Sequence, residues 1–239
     1  MSKALISSTS QTEKLLFRHG PDGYPLAHPA DPETGIPYFS RVGQEVVPER
    51  LFSFDDLGRA RGHESTSGAM FYKEDKKFIP HVLQPLKYLA NFVPYRCVIT
   101  PDLTMGSGMA RWERVNNIRL ARQAGIVWQH HGLNVVVNVR WCDAQDYDLV
   151  CTGIPQGSVI ALSNYGLLGD PQLRDEFNLG VPEIIDRTMP KAILMHGKLD
   201  PWVNRQIAQK TEVVSYPPNS WKSNSKYGSE SQLTFDFAS

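Results

Sequence analysis

Cysteine is scarce in this 239-residue chain: Cys97, Cys142 and Cys151 are the only three. An odd count, with no pair at metal-ligand spacing, excludes a disulfide framework and a cysteine-rich zinc site. Long apolar runs are also missing. No stretch reaches the roughly 18 residues a membrane-spanning helix needs. The start, "MSKALISSTSQTEKLL", lacks the apolar core of a secretory signal. Charge of one sign is missing as well, because 25 Lys and Arg balance 25 Asp and Glu. That excludes a protein coating nucleic acid through bulk charge, while a local basic groove stays open. The expectation is a cytoplasmic protein with no membrane partner. Its ligand is a small molecule, a nucleotide or a nucleic acid. The sequence does not set the oligomeric state.

Several catalytic signatures are absent. No Gly-Lys-Ser/Thr follows the glycines, so there is no P-loop, and the three-glycine dinucleotide fingerprint does not occur. His63-Glu64 lacks the second histidine of a zincin, and Ser107 lacks the context of a nucleophile elbow. No metal site is assigned, and the cofactor is unknown. Internal repeats and heptads are missing too.

What is present is an alternation. Residues 1–65 are rich in proline, glycine and charge, and read as an irregular N-terminal arm. Residues 218–239 are polar and serine-rich, and read as a disordered tail. Between them, 66–217 form the core domain. Short apolar runs recur there: 69–72, 97–100, 134–139, 158–162, 191–195 and 212–216. They are continuously apolar rather than alternating, as in strands covered on both faces. Segments 76–91, 109–131, 171–187 and 201–209 between them suit crossover helices. Asp170-Pro171 and Asp200-Pro201 mark two helix starts. The implied fold is α/β, with repeated βα units and a mostly parallel sheet, either doubly wound or a small, incomplete barrel.

In such folds, ligands lie beyond the carboxyl ends of the strands. The residues that follow the strands are polar: Asp102, Arg140 to Asp143, Ser163 to Gly166, and His196 to Lys198. Asp102, Asp143 and His196 are the candidate catalytic groups for general acid–base work. Arg140 and Lys198 would hold an anion, Trp141 would stack a base or sugar, and Asn164 would line the rim. In "VITPDLTMGSGMARW", Gly106-Ser107-Gly108 lets backbone approach a ligand at a helix start, with Arg111 adding a charge-assisted contact. Arg119 is the polar residue of that helix chosen for the site. The rival reading is that strand-to-helix turns are polar in any case, with Ser107 a helix cap, Arg119 a structural ion-pair partner and Trp141 a filler of the core's edge. His130-His131 read as caps at a helix end.

The blocks "VITPDLTM", "NNIRLAR", "GLNVVVNVRWCD", "DLVCTGIPQGSVIALSNYG" and "PKAILMHGK" follow one another in order. That string resembles the domain of unknown function 4417 family of bacteria, phages and plasmids, over roughly residues 50 to 216. The resemblance brings no activity with it. It implies a home on a mobile element or in a bacterium hosting one. Where the family usually reads S-T-x-G, this chain has Ser163-Asn164-Tyr165-Gly166; the tyrosine would narrow the pocket or change its ligand.

Three functions follow as expectations. The first is an enzyme acting on a nucleotide, nucleobase or sugar phosphate, in nucleic acid modification for instance. The second is a non-catalytic nucleotide- or partner-binding protein serving replication or counter-defence. The third is a structural phage component, which the α/β pattern favours least.

Overall fold

In the computed structural model, residues 21–25, 27–167 and 169–217 are described. The apolar runs form strands because their β-branched residues are buried on both faces of one sheet. Seven strands are present: β1 (Arg50–Ser53), β2 (Ser67–Met70), β3 (Cys97–Ile99), β4 (Val135–Asn138), β5 (Ile160–Ser163), β6 (Ala192–His196) and β7 (Glu212–Tyr216). Each pairs in parallel with the next, in sequence order from β1 to β7. Winding therefore never reverses, as it would in a doubly wound sheet. Of the two forms the alternation allowed, the sheet takes the incomplete barrel, curled through about half a turn.

Helices cover the outer face, as crossovers of constant hand require. They are α1 (Asp75–Leu83), α2 (Pro85–Phe92), α3 (Arg111–His130), α4 (Tyr147–Cys151), α5 (Pro171–Thr188) and α6 (Pro201–Ile207). The expected 76–91 helix is two, broken at Gln84, which precedes Pro85 and leaves the helical region. Outward residues of the strands pack under the helices in two clusters. One joins Val98, Val135 and Val137 to Phe78, Phe92 and Trp128; the other joins Ile160, Ile193 and Met195 to Phe177, Ile184 and Val203. Asp170 caps α5 as expected, accepting from the N–H groups of Gln172 and Leu173. Asp200 does not cap α6 with its side chain; its Oδ2 instead accepts from Asn178 Nδ2 at 2.6 Å.

Part of the stretch expected to be an irregular arm belongs to the core. Strand β1 lies inside it, and Ile36, Phe39, Val42 and Val46 are buried. Among the described residues, no α-helix contributes to the apolar cluster on the inner face of the sheet. Val42 and Val46 cover its lower end instead, against Leu51, Cys97, Ile99, Val136, Ala161 and Leu194. Val42 accepts from the Val159 N–H, and the Tyr216 hydroxyl donates to the Pro48 carbonyl at 2.7 Å. Proline forbids regular ladders in this segment, but it does not forbid burying valines against a sheet. Residues 1–20 of the arm and the tail at 218–239 lie outside the described residues.

Candidate functional site

Side chains of a strand alternate between faces. The pairing register puts Val136, Ala161 and Leu194 on the concave face, where they join the apolar floor. Two residues further along, the same face carries Asn138, Ser163 and His196. Tyr72, just past β2, and Arg140, just past β4, continue that alternation. The concave face is thus apolar below and polar at its carboxyl mouth, where ligands sit in closed barrels of this kind.

The polar layer is hydrogen-bonded from strand to strand. Arg140 donates to Asp102 Oδ2 at 2.8 Å, and Asn138 Nδ2 donates to Asp102 Oδ1 at 2.7 Å. The Tyr72 hydroxyl donates to Asn138 Oδ1 at 3.1 Å, and Thr100 Oγ1 accepts from the Asn138 N–H. The Tyr72 ring stacks on His196, with centroids 4.8 Å apart and planes within 9°. His196 Nδ1 lies 3.1 Å from Ser163 Oγ, which also accepts from the Tyr165 N–H. Asp102 is 8% exposed and His196 4%, whereas the Arg140 side chain is 32% exposed. Arg140 thus presents guanidinium surface to a ligand while one nitrogen is anchored.

Burial drives the His196 pKa down to about 4, so the ring is neutral at pH 7. Burial, reinforced by nearby Asp102, raises the Tyr72 pKa well above the usual phenol range and keeps its hydroxyl a donor. Asp102 beside Arg140 raises the arginine further and keeps it charged.

A cavity of about 250 Å³ opens beside this layer, above β4 and β5. Gly106, Ser107, Arg140 and Trp141 all line it, together with Ser163. The Gly-Ser-Gly segment therefore does reach the rim through its first two residues. Gly108 does not line the cavity, and Ala110, not Ser107, occupies the cap position of α3. Trp141 contributes an edge to the wall while its body is core. It stacks on Phe177 at 5.3 Å, and its Nε1 donates to the Glu176 carbonyl. Gly180 is needed beneath it, since a Cβ there would stand 2.2 Å from the indole nitrogen.

Other expected residues lie apart from this set. Asp143 caps the short 3-10 turn at Ala144–Asp146 and accepts from Arg114 at 3.0 Å. Arg114 also bonds both oxygens of buried Asp146, which accepts from the Cys142 N–H. Asp143 is thus held in a loop-fastening cluster. Arg119 bonds Asn116 Oδ1 and Gln123 Oε1 along its own helix. Arg119 and exposed Arg111 line a separate open groove with Trp112, beside residues 32–35. Asn164 is buried, donating to the Lys198 carbonyl, with Oδ1 against Gly197. The Lys198 side chain is exposed at the edge of the mouth. His131 caps as expected, its Nδ1 donating to the Val127 carbonyl, while His130 Nε2 lies 3.1 Å from His28 Nδ1.

Among the polar residues of the mouth and cavity, Tyr72, Asn138 and Ser163 (the last named only within the polar stretch after its strand) and Glu176 were not singled out in the sequence. The first three sit at ends of apolar runs, where parity alone decides which face they take. Among the described residues, no group of three or more His, Cys, Asp or Glu is arranged to hold a metal, and no helix is long and apolar enough to cross a membrane.

Two phage proteins are similar to this chain. The Gene 1 protein of Mycobacterium phage L5 is 26% identical over 174 residues, covering 72% of this chain and 76% of the phage protein. The Gene 1 protein of Mycobacterium phage D29 is 26% identical over 172 residues, covering 71% of this chain and 63% of that protein, less than two thirds of its length. No solved structure matches. The model of one family spans residues 28–217, which takes in all seven strands, the plug beneath them and every residue of the mouth; the chain belongs to that family, a domain of unknown function (DUF4417).

Proposed function

We propose that the mouth of the half barrel is the site of an enzyme acting on a nucleotide, a nucleobase or a sugar phosphate. One observation carries this reading: an apolar concave face ends in a polar layer drawn from five strand ends, beside a 250 Å³ cavity that Arg140 lines. A buried polar set of this size is costly unless its members hold one another, and here they do. Arg140 would take the phosphate, with Lys198 at the edge. Asp102 serves to aim Arg140 and Asn138, since both of its oxygens are engaged. His196, neutral at pH 7, would accept a proton rather than act as the acid.

A thermal-shift panel of nucleotides, nucleobases and sugar phosphates tests this. A ligand of the folded state stabilises by about 2.7 kcal/mol at one hundred times its dissociation constant. A shift in the wild type that Arg140→Gln abolishes is the expected result. A full panel without any shift would sink it.

A second reading, binding without chemistry, is favoured by Trp112. This side chain is 70% exposed beside Arg111, on the groove along α3. A partner or nucleic acid lost on Trp112→Ala and retained by Arg140→Gln would select it.

A further inference from the structure

The cavity carries two opposite charges that do not meet. Arg140 lies on one side; Glu176, from the second turn of α5, lines the cavity as well. Among the described residues, the Glu176 carboxylate makes no ion pair or hydrogen bond; beyond the helix's own bonds, the residue is engaged through its backbone carbonyl, which accepts from Trp141 Nε1. Met105, Leu167, Leu173 and Phe177 supply apolar wall around it. A carboxylate accepts only. When a ligand displaces water from an apolar-walled cavity, such a group must find donors on that ligand or its desolvation goes uncompensated. Arg140, lining the same cavity, imposes the complementary demand for an anion.

We infer that Glu176 selects the base of the ligand, and that this base is guanine. The inference rests on the nucleotide reading above. Guanine offers two adjacent N–H donors, N1–H and the 2-amino group, at the spacing of two carboxylate oxygens. Adenine places a ring acceptor beside its amino donor, and uracil flanks its single N–H with two carbonyls. Both would set a lone pair against Glu176, which discriminates by repulsion as well as attraction. Hypoxanthine keeps N1–H and loses the second donor. The cavity is smaller than the roughly 300–1,000 Å³ of drug-sized sites. It suits one base, with the phosphate reaching back to Arg140.

The test measures dissociation constants of GMP, IMP, AMP and UMP on the full chain, for the wild type, Glu176→Gln and Arg140→Gln. The anchor of Trp141 is the Glu176 backbone, so Glu176→Gln keeps it and should fold. In the wild type, GMP should bind about ten- to a hundredfold more tightly than IMP or AMP, the discrimination of one good bidentate pair. In Glu176→Gln that preference should fall to within about threefold, while the phosphate still binds. Arg140→Gln should weaken all four and leave their ratio unchanged. If nucleotides bind the wild type without preference, or Glu176→Gln keeps the preference, the role of Glu176 is overturned and the nucleotide reading stands. If no nucleotide binds at all, both fall.

Discussion

Arginine meets aspartate twice around the end of β4, and the two meetings have opposite consequences. Arg114 of α3 is 10% exposed and shares one guanidinium between Asp143 and Asp146. Arg140 is 32% exposed and has one carboxylate, Asp102, which also serves Asn138. In the first cluster the carboxylates outnumber the cation, and Nη1 of Arg114 fastens the 142–147 loop to α3, while its buried Nε has no partner among the described residues. In the second the cation keeps donors to spare and faces a cavity. Asp102 and Asp143 are indistinguishable as acidic residues following a strand. Stoichiometry and exposure separate them: a buried cation outnumbered by carboxylates holds the chain, and a more exposed cation with one carboxylate is able to hold something else.

The sharpest way to break this contrast is to remove each arginine. Arg114→Met should cost about 3–5 kcal/mol of unfolding free energy, because it leaves Asp146, 2% exposed, charged and without its cation. Chemical denaturation reads this directly. A loss below about 1 kcal/mol would mean that the cluster is no staple.

Protonation in the mouth gives the next largest effect. Burial depresses the His196 pKa from 6.5 to about 4. A depressed histidine favours the neutral form in the folded state. Its contribution is fully present above pH 6.5 and is lost as pH falls from there towards 4. The span corresponds to roughly 3 kcal/mol. His81 is depressed in the same direction by its own burial, and carboxylates begin to titrate at the lower end of the window. The relevant quantity is therefore the difference between wild type and His196→Asn. That difference should stay constant above pH 6.5 and shrink as pH falls from there towards 4. A difference independent of pH would remove His196 from the account.

Arg140→Gln should behave unlike Arg114→Met. Asp102 keeps its bond from Asn138 and lies at the mouth, so the stability cost should be about 1–2 kcal/mol. Affinity for anionic ligands should fall about tenfold or more, the scale of one charge-assisted contact. Unfolding on the scale of Arg114→Met would make the two pairs equivalent and end the distinction drawn here.

Much of this was legible in the sequence, for identifiable reasons. Strands β3 to β6 announce themselves because burial on both faces demands apolar runs, while β2 and the partly exposed β7 are marked only by shorter ones. The rim positions Asp102, Arg140 and His196 follow from where those runs stop. Strand β1 stays hidden because only Leu51 and Phe52 of its four residues are apolar and it lies in a segment rich in proline and charge. The plug at 42–46 hides for a related reason: its valines are buried without periodicity. Sequential strand order is a matter of how the sheet curls, which no single run encodes. Glu176 is invisible for another reason. It follows Arg174-Asp175 in a helix, where charge reads as a solvated face, and only the packing of α5 over β4 turns it inward. Trp141 shows the limit of residue type as a guide. An indole beside an arginine suggests stacking on a ligand, yet Phe177 and Gly180 absorb most of it into the core.

The smallest expected effect concerns the Gly-Ser-Gly segment, and it separates folding from binding most cleanly. Neither Gly106 nor Gly108 has a positive φ. A Cβ on Gly108 would meet nothing within 4 Å, and one on Gly106 would touch only Met109, at 3.8 Å. The fold therefore does not require glycine at either position, and each alanine substitution should change stability by less than about 0.5 kcal/mol. Gly106 lines the cavity and Gly108 does not. Gly106→Ala should weaken the ligand that Arg140 holds, while Gly108→Ala leaves it unchanged. Equal affinities for both variants would reduce the segment to a turn. A loss confined to Gly106 would explain why a glycine stands where neither the backbone nor the packing asks for one.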